Sequence, residues 1–166
     1  MKTKSSPLWF LNFSFLFLTL VFFQCTSSKK VTAIEPGDAI NMIQAHEFRF
    51  VAERVNPLRG RMRHLTSSYD VTVKNDSLVS YLPYFGRAYQ APIDPSEGGI
   101  QFTSTQFSYE VNEDKKNSWN VSIKPTDQPD VQQFLFTIFD NGTATLNVTS
   151  THRDPISFYG NIQKAE

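Results

Sequence analysis

Three histidines, one cysteine and 16 acidic side chains are the groups from which this chain could build a catalytic or metal-binding centre. His46, His64 and His152 stand far apart, no HExxH is present, and there is no second cysteine. Neither a zinc site nor a thiol site is supported by that spacing. The acids are scattered, with no pair set apart as acid and base. No GxSxG elbow and no glycine-rich phosphate loop occurs. The sequence therefore predicts no catalytic residue, no metal, no cofactor and no enzyme.

Cys25 has a different chemistry open to it. It follows Lys2 and Lys4 and an apolar run from Leu8 to Phe23. As a helix those residues would span roughly 24 Å at about 1.5 Å per residue. That is short against a hydrocarbon core about 30 Å thick, and Asn12, Ser14 and Thr19 interrupt it. A positive start, an apolar middle and a polar exit instead predict a secretory signal peptide over residues 1–24. A cysteine at the exit of that run resembles the lipobox of bacterial lipoproteins, whose cysteine becomes a lipidated amino terminus. Phe22, Phe23 and Gln24 depart from the small residues that pattern favours. An ordinary cleaved signal, or an uncleaved anchor with Cys25 incidental, is the alternative. Cys25 is thus the expected lipid attachment site, residues 25–37 a flexible tether, and residues 38–166 a single domain.

Two further clusters could bind rather than react. SYLPYFGRAYQAP, residues 80–92, gathers Tyr81, Tyr84, Phe85, Arg87 and Tyr89 around Pro83 and Gly86. Pro83 cannot donate to a central ladder, so regular pairing should stop there. Residues 83–99 form a connection far longer than usual, a length often functional. The rings could close the end of a sheet as a lid, or present a contact surface with Arg87 among them. Tyr84 and Phe85 are adjacent, so an extended segment would bury one and expose the other. The second cluster is RGRMRH, residues 59–64. Its alternating arginines could meet an anion or lipid headgroup, but a solvated connection between strands is the plainer reading. Lys2 and Lys4 are the only charges of the first 24 residues, which leaves 14 bases against 16 acids. That balance gives no electrostatic reason to expect nucleic acid.

The elements that must carry these clusters are mostly strands. Glu35-Pro36-Gly37-Asp38 opens a short helix with Ile40 and Ile43 on its apolar face and an Asp or Thr cap. From Phe48 the period becomes two, with Phe48, Phe50 and Ala52 on one face. Tyr69, Val71 and Val73 alternate likewise, then Asn75-Asp76 turns the chain into Ser77–Leu82. Phe107, Tyr109 and Val111 face Trp119, Val121 and Ile123 across a polar loop. Asn141-Gly142 predicts a two-residue hairpin pairing Asp140 with Thr143. That register places Phe139, Thr137 and Leu135 opposite Ala144, Leu146 and Val148 on the core face. It leaves Phe134, Phe136 and Ile138 on a half-aromatic face, to be covered or to line a groove. The expected fold is α+β and mainly β: a short N-terminal helix followed by a seven- to eight-stranded, mostly antiparallel curved sheet.

Phe48, Phe50 and Ala52, then Asn56-Pro57-Leu58, SYLPYFGRAY and the GGIQF of residues 98–102 resemble a domain-of-unknown-function family. It is a family of small envelope lipoproteins of Bacteroidota, and the resemblance runs over roughly residues 40–160. It implies a lipid-anchored protein of the bacterial envelope and brings no activity, ligand or catalytic residue. TSSKK after Cys25, without the acids of surface-exported lipoproteins, implies the periplasmic side, of the outer membrane rather than the inner. The function expected is a non-catalytic, lipid-anchored binding or carrier module for an apolar ligand or an envelope protein. The alternative is a structural or assembly partner with no small-molecule site. A large apolar cavity would favour the first; a filled core with an exposed aromatic patch would favour the second.

Overall fold

A computed structural model describes residue 34 and residues 37–90, 98–114 and 117–165. Cys25, the expected signal peptide and most of the expected tether lie outside the described residues. Residues Ala33–Glu166 form one compact unit. Among the described residues the buried apolar cluster lies wholly within it, so that unit encloses its own core.

Helix α1, Asp38–Gln44, buries Ala39 and Ile43, four residues apart on one face. Its entry corrects the expectation of a side-chain cap. Gly37 takes the N-cap position at φ 95°, and its N–H donates to Asp140 Oδ1 at 3.0 Å instead. His46, at φ 55°, then turns the chain into the sheet.

The strands are β1 Glu47–Pro57, β2 Arg63–Lys74, β3 Ser77–Leu82, β4 Ile100–Ser104, β5 Phe107–Asp114, β6 Ser118–Pro125, β7 Val131–Phe139, β8 Thr143–Ser150 and β9 Ile156–Lys164. They form one antiparallel sheet in the order β4-β3-β2-β1-β9-β8-β7-β6-β5. The count is nine, not seven or eight. β4 has only five residues, too few to show a period. In β9 the apolar set Ile156, Phe158 and Ile162 is interrupted by Gly160. Gly160 is required there, because a Cβ would fall 1.9 Å from the Val51 carbonyl oxygen.

A bulge lies opposite that glycine. The register of β1 shifts between Ala52 and Arg54 against both neighbours. Phe48, Phe50 and Ala52 are buried before the shift, and Val55 and Pro57 after it. One extra residue changes the parity of the core-facing positions without losing the core face.

The β7–β8 register also differs from expectation, by one residue. Ile138 faces Ala144, Phe136 faces Leu146 and Phe134 faces Val148. The loop is Asp140-Asn141-Gly142, closed by the Gly142 N–H on the Phe139 carbonyl at 2.9 Å with Gly142 at φ 80°. Asn-Gly is thus the end of a three-residue turn rather than a two-residue one. A slip of one residue exchanges the faces. Phe134, Phe136 and Ile138 are fully buried, and Phe139 is exposed.

The sheet curls around these rings. The Phe136 ring lies edge-on to Phe48 at 5.5 Å and to Phe50 at 5.7 Å. Phe102 of β4 reaches Phe134 of β7 at 5.8 Å, although five strands separate β4 from β7 in the sheet. Burying each phenylalanine is worth about 1.5–3 kcal/mol, so this aromatic line is a main source of the curl's stability. The two edge strands meet through Thr105 and Gln106. Asp127, from the β6–β7 loop, ties that corner by accepting from the Ser104 hydroxyl and, at 3.1 Å, from the Thr105 N–H. On the outer face small polar pairs bridge strands, such as Thr137 to Asn120 at 2.9 Å and Ser157 to Asn147 at 2.6 Å.

The strands end in two groups of connections. At the helix end lie α1 and the β2–β3, β5–β6 and β7–β8 turns. At the far end lie the β1–β2, β3–β4, β6–β7 and β8–β9 loops.

Candidate functional site

The far end brings together the two clusters that the sequence presents separately. Residues 58–62 connect β1 to β2, and Gly60 at φ 140° turns the loop at its tip. Pro83 ends β3 and is buried. Beyond it the Tyr84 side chain folds back over Gly86, where a Cβ would lie 2.5 Å from its hydroxyl oxygen. A larger side chain there would have to push the Tyr84 ring aside. The Tyr84 hydroxyl then shares its proton between the Arg87 carbonyl at 2.9 Å and the Asp154 carbonyl at 3.1 Å.

A short antiparallel bridge pins the same segment to the β8–β9 loop. Ala88 pairs with Arg153, the Tyr89 N–H donates to the His152 carbonyl at 2.7 Å, and the Asp154 N–H donates to the Arg87 carbonyl at 3.0 Å. Arg153 lies 5.2 Å over the Tyr84 ring and donates to the carbonyls of Gly98 and Gly99. Arg63 stands 5.4 Å over Phe85, and Arg87 5.9 Å over Tyr89. Guanidinium groups over rings keep their planar donors directed sideways, which suits bidentate contact with phosphate or carboxylate.

Asp154 is the acid in this cluster. Its side chain is 4% exposed. Oδ1 accepts from the Tyr89 hydroxyl, while Oδ2 has no hydrogen bond and lies 4.0 Å from Arg59 Nε. Tyr84 is held above its ordinary ionisation range, first by burial and then by the Asp154 carboxylate. Tyr89 is raised first by its hydrogen bond to Asp154 and then by that charge. Both phenols stay protonated at neutral pH, so they act as donors and ring surfaces rather than as bases.

Tyr84, Phe85, Arg87 and Tyr89 therefore share one corner with Arg59, Arg63, Arg153 and Asp154. Tyr81 does not join them. It is stacked on Tyr69 at 5.7 Å, on the outer face of β2 and β3. The expected division of Tyr84 and Phe85 into one buried and one exposed ring is also absent: both are half-buried. The chain does not run extended there, because Tyr84 bends back to its own loop. Arg153 and Asp154 lie about seventy residues beyond Tyr84, and THRDP carries no local signal that would single them out.

Beside this corner an open cavity of about 270 Å³ lies between Asn56, Leu58, Gly60, Asn147, Pro155 and Ser157. Its rim mixes amides and hydroxyls with apolar groups. Among the described residues, no three His, Cys, Asp or Glu side chains could share a metal ion, and no helix is long and apolar enough to cross a membrane.

Residues 33–162 match the model of a family described as Domain of unknown function (DUF4251). The chain is also similar to the crystal structure of a DUF4251 family protein from Bacteroides eggerthii. That likeness has a TM-score of 0.56 at 18% identity and covers 76% of this chain and 85% of that one. No curated protein matches.

Proposed function

The chain belongs to the DUF4251 family, which supplies a fold but no activity to inherit, and from its own geometry we propose a non-catalytic binding protein of the bacterial envelope. In this reading a lipid on Cys25 holds the protein on the periplasmic side, and the arginine–tyrosine end engages an envelope component. The observation that carries it is the convergence of three loops on one corner, where Arg59, Arg63 and Arg87 stand among Phe85, Tyr84 and Tyr89. Guanidinium donors set among rings suit recognition of an anionic or aromatic partner.

The interior speaks for a surface site over an enclosed carrier site. Phe48, Phe50, Phe134, Phe136 and Phe158 are all fully buried in one another's company. An apolar ligand taken inside would have to displace packed rings, at a cost of several kcal/mol. Structural or assembly partnership in an envelope complex uses the same corner, and its partner would be a protein.

The test is co-purification of the intact protein from envelope extracts beside an Arg87→Ala/Tyr89→Ala variant, with mass analysis of Cys25. The expected result is an acylated amino-terminal Cys25 and an envelope component retained by the native protein and lost from the folded variant. Equal retention by both proteins would remove the corner from the reading. An unmodified Cys25 would remove the anchor.

A further inference from the structure

We propose that the far end docks on an anionic lipid bilayer, with the β1–β2 loop inserted at headgroup depth. The inference rests on reading that end as the binding surface and adds what it binds.

Five of the chain's seven arginines, at positions 59, 61, 63, 87 and 153, lie in residues 58–63, 83–90 and 151–155. Those segments contain no lysine and one acid, Asp154, which is buried beside Arg59. The β3–β4 connection also contains Asp94 and Glu97, and the β6–β7 loop beside Thr151 contains Asp127 and Asp130. The positive field is therefore concentrated at the β1–β2 loop, where Arg59, Arg61 and Arg63 stand together with no acid among residues 58–63. Apolar side chains stand in the same field. Leu58 is 62% exposed and Met62 49%, at the two shoulders of the loop, and Tyr89 is 62% exposed beside it. Leu58, Gly60 and Met62 alternate with Arg59, Arg61 and Arg63. A projecting tip of that pattern places large apolar groups at acyl depth while the arginines stay level with the phosphates.

The shape of the tip separates a bilayer from an acidic protein. All of residues 58–64 are exposed. A stable protein interface covers about 800 Å² on each side and seats its anchors in packed pockets. A narrow convex loop has neither, whereas a headgroup layer yields around it.

The experiment uses the compact unit Ala33–Glu166, which holds its own core and lacks both the apolar amino-terminal run and Cys25. Vesicles of phosphatidylcholine alone are compared with an equimolar mixture of phosphatidylcholine and phosphatidylglycerol. The unit should sediment with the mixed vesicles and remain free of the neutral ones. Added salt should weaken binding. Arg59→Gln/Arg61→Gln/Arg63→Gln should weaken it about a hundredfold, near the sum expected for three basic groups at a charged surface. A Met62→Trp reporter should shift its emission to the blue on binding, which a purely electrostatic contact would not cause. Circular dichroism of each variant establishes that it is folded. Equal affinity for both vesicle types, or a triple variant that binds as well as the native unit, would overturn the proposal. So would a Met62→Trp emission left unchanged by bound vesicles. Retention of an envelope protein through the same arginines, without affinity for the mixed vesicles, would overturn the bilayer while leaving the binding surface in place.

Discussion

The two ends of the sheet are built on opposite terms. At the helix end the connections are two or three residues long, and the left-handed positions gather there: His46, Asn75, Asn117 and Gly142, with Gly37 at the helix entry. At the far end the β1–β2, β6–β7 and β8–β9 loops have five residues each, and residues 83–99 form the longest connection. Among the described residues Gly60 is the one positive φ in those loops. A tight turn sets strand register through its own dihedral angles and leaves few side chains free for other work. Longer loops are fixed by contacts such as Tyr84 to Asp154, and so can carry an exposed surface on a rigid frame. One end specifies the fold, and the other is available for recognition.

The comparison can be broken most strongly at Gly142. Gly142→Val would place a β-branched residue at φ 80°, with its Cβ 2.7 Å from Ile34 Cδ1. Backbone strain and that clash together should cost about 2–3 kcal/mol, read as a lower urea midpoint. An unchanged midpoint would mean that the helix end does not depend on its turn geometry.

The far end should yield to alkali while the β7–β8 turn of the helix end holds. Tyr109, which donates to the Ile43 carbonyl at 2.9 Å and whose ionisation is itself raised by burial, makes the neighbourhood of α1 sensitive to alkali as well. Both Tyr84 and Tyr89 have ionisation raised above the ordinary value of 10.0 in the folded protein. A group raised on folding stabilises below its unfolded value and loses that contribution as pH rises through the folded one. Above pH 10 each phenolate would face the Asp154 carboxylate, and residues 84–89 should release from the β8–β9 loop. Amide exchange, corrected for its intrinsic pH dependence, should rise at Tyr89 and Asp154 well before it rises at Gly142 and Ile162, whose N–H groups close and brace the β7–β8 turn. Simultaneous loss at both ends would show one cooperative unit and no separate corner.

The smallest effect sharpens the contrast. Arg61→Ala removes an exposed side chain from a loop that supports no strand pairing, and should change unfolding free energy by less than about 0.5 kcal/mol. A larger loss, measured by the same urea titration, would make the arginine loop part of the fold.

Periodicity made much of the architecture legible. The core faces of Phe48 and Phe50, of Val71 and Val73, and of Val121 and Ile123 follow from alternation alone. Parity failed where one residue decides the face. Asn141-Gly142 marks a turn without stating whether Asp140 belongs to it, and the answer moved Phe136 from a doubtful face to the centre of the core. Glu53 gives no sign of the bulge that shifts β1, because a bulge answers the partner strand. β9 was concealed by Gly160, whose missing side chain is a requirement of Val51. The candidate site was legible in pieces. Arginines and rings are conspicuous in RGRMRH and SYLPYFGRAY, but their meeting is made by strand order and by Asp154, which no local pattern marks.

The last strand in sequence occupies the middle of the sheet. β9 pairs with β1 through Phe48 to Lys164 and Pro57 to Ile156, and with β8 on its other side. Before residues 156–164 arrive, the chain consists of one ladder from β1 to β4 and another from β5 to β8, each with a central edge unmatched. Such a chain, delivered from its amino terminus, cannot complete its sheet until residues 156–164 are free to pair. Until then two half-sheets stand with open inner edges, the state most exposed to wrong pairing, and one late strand closes both at once.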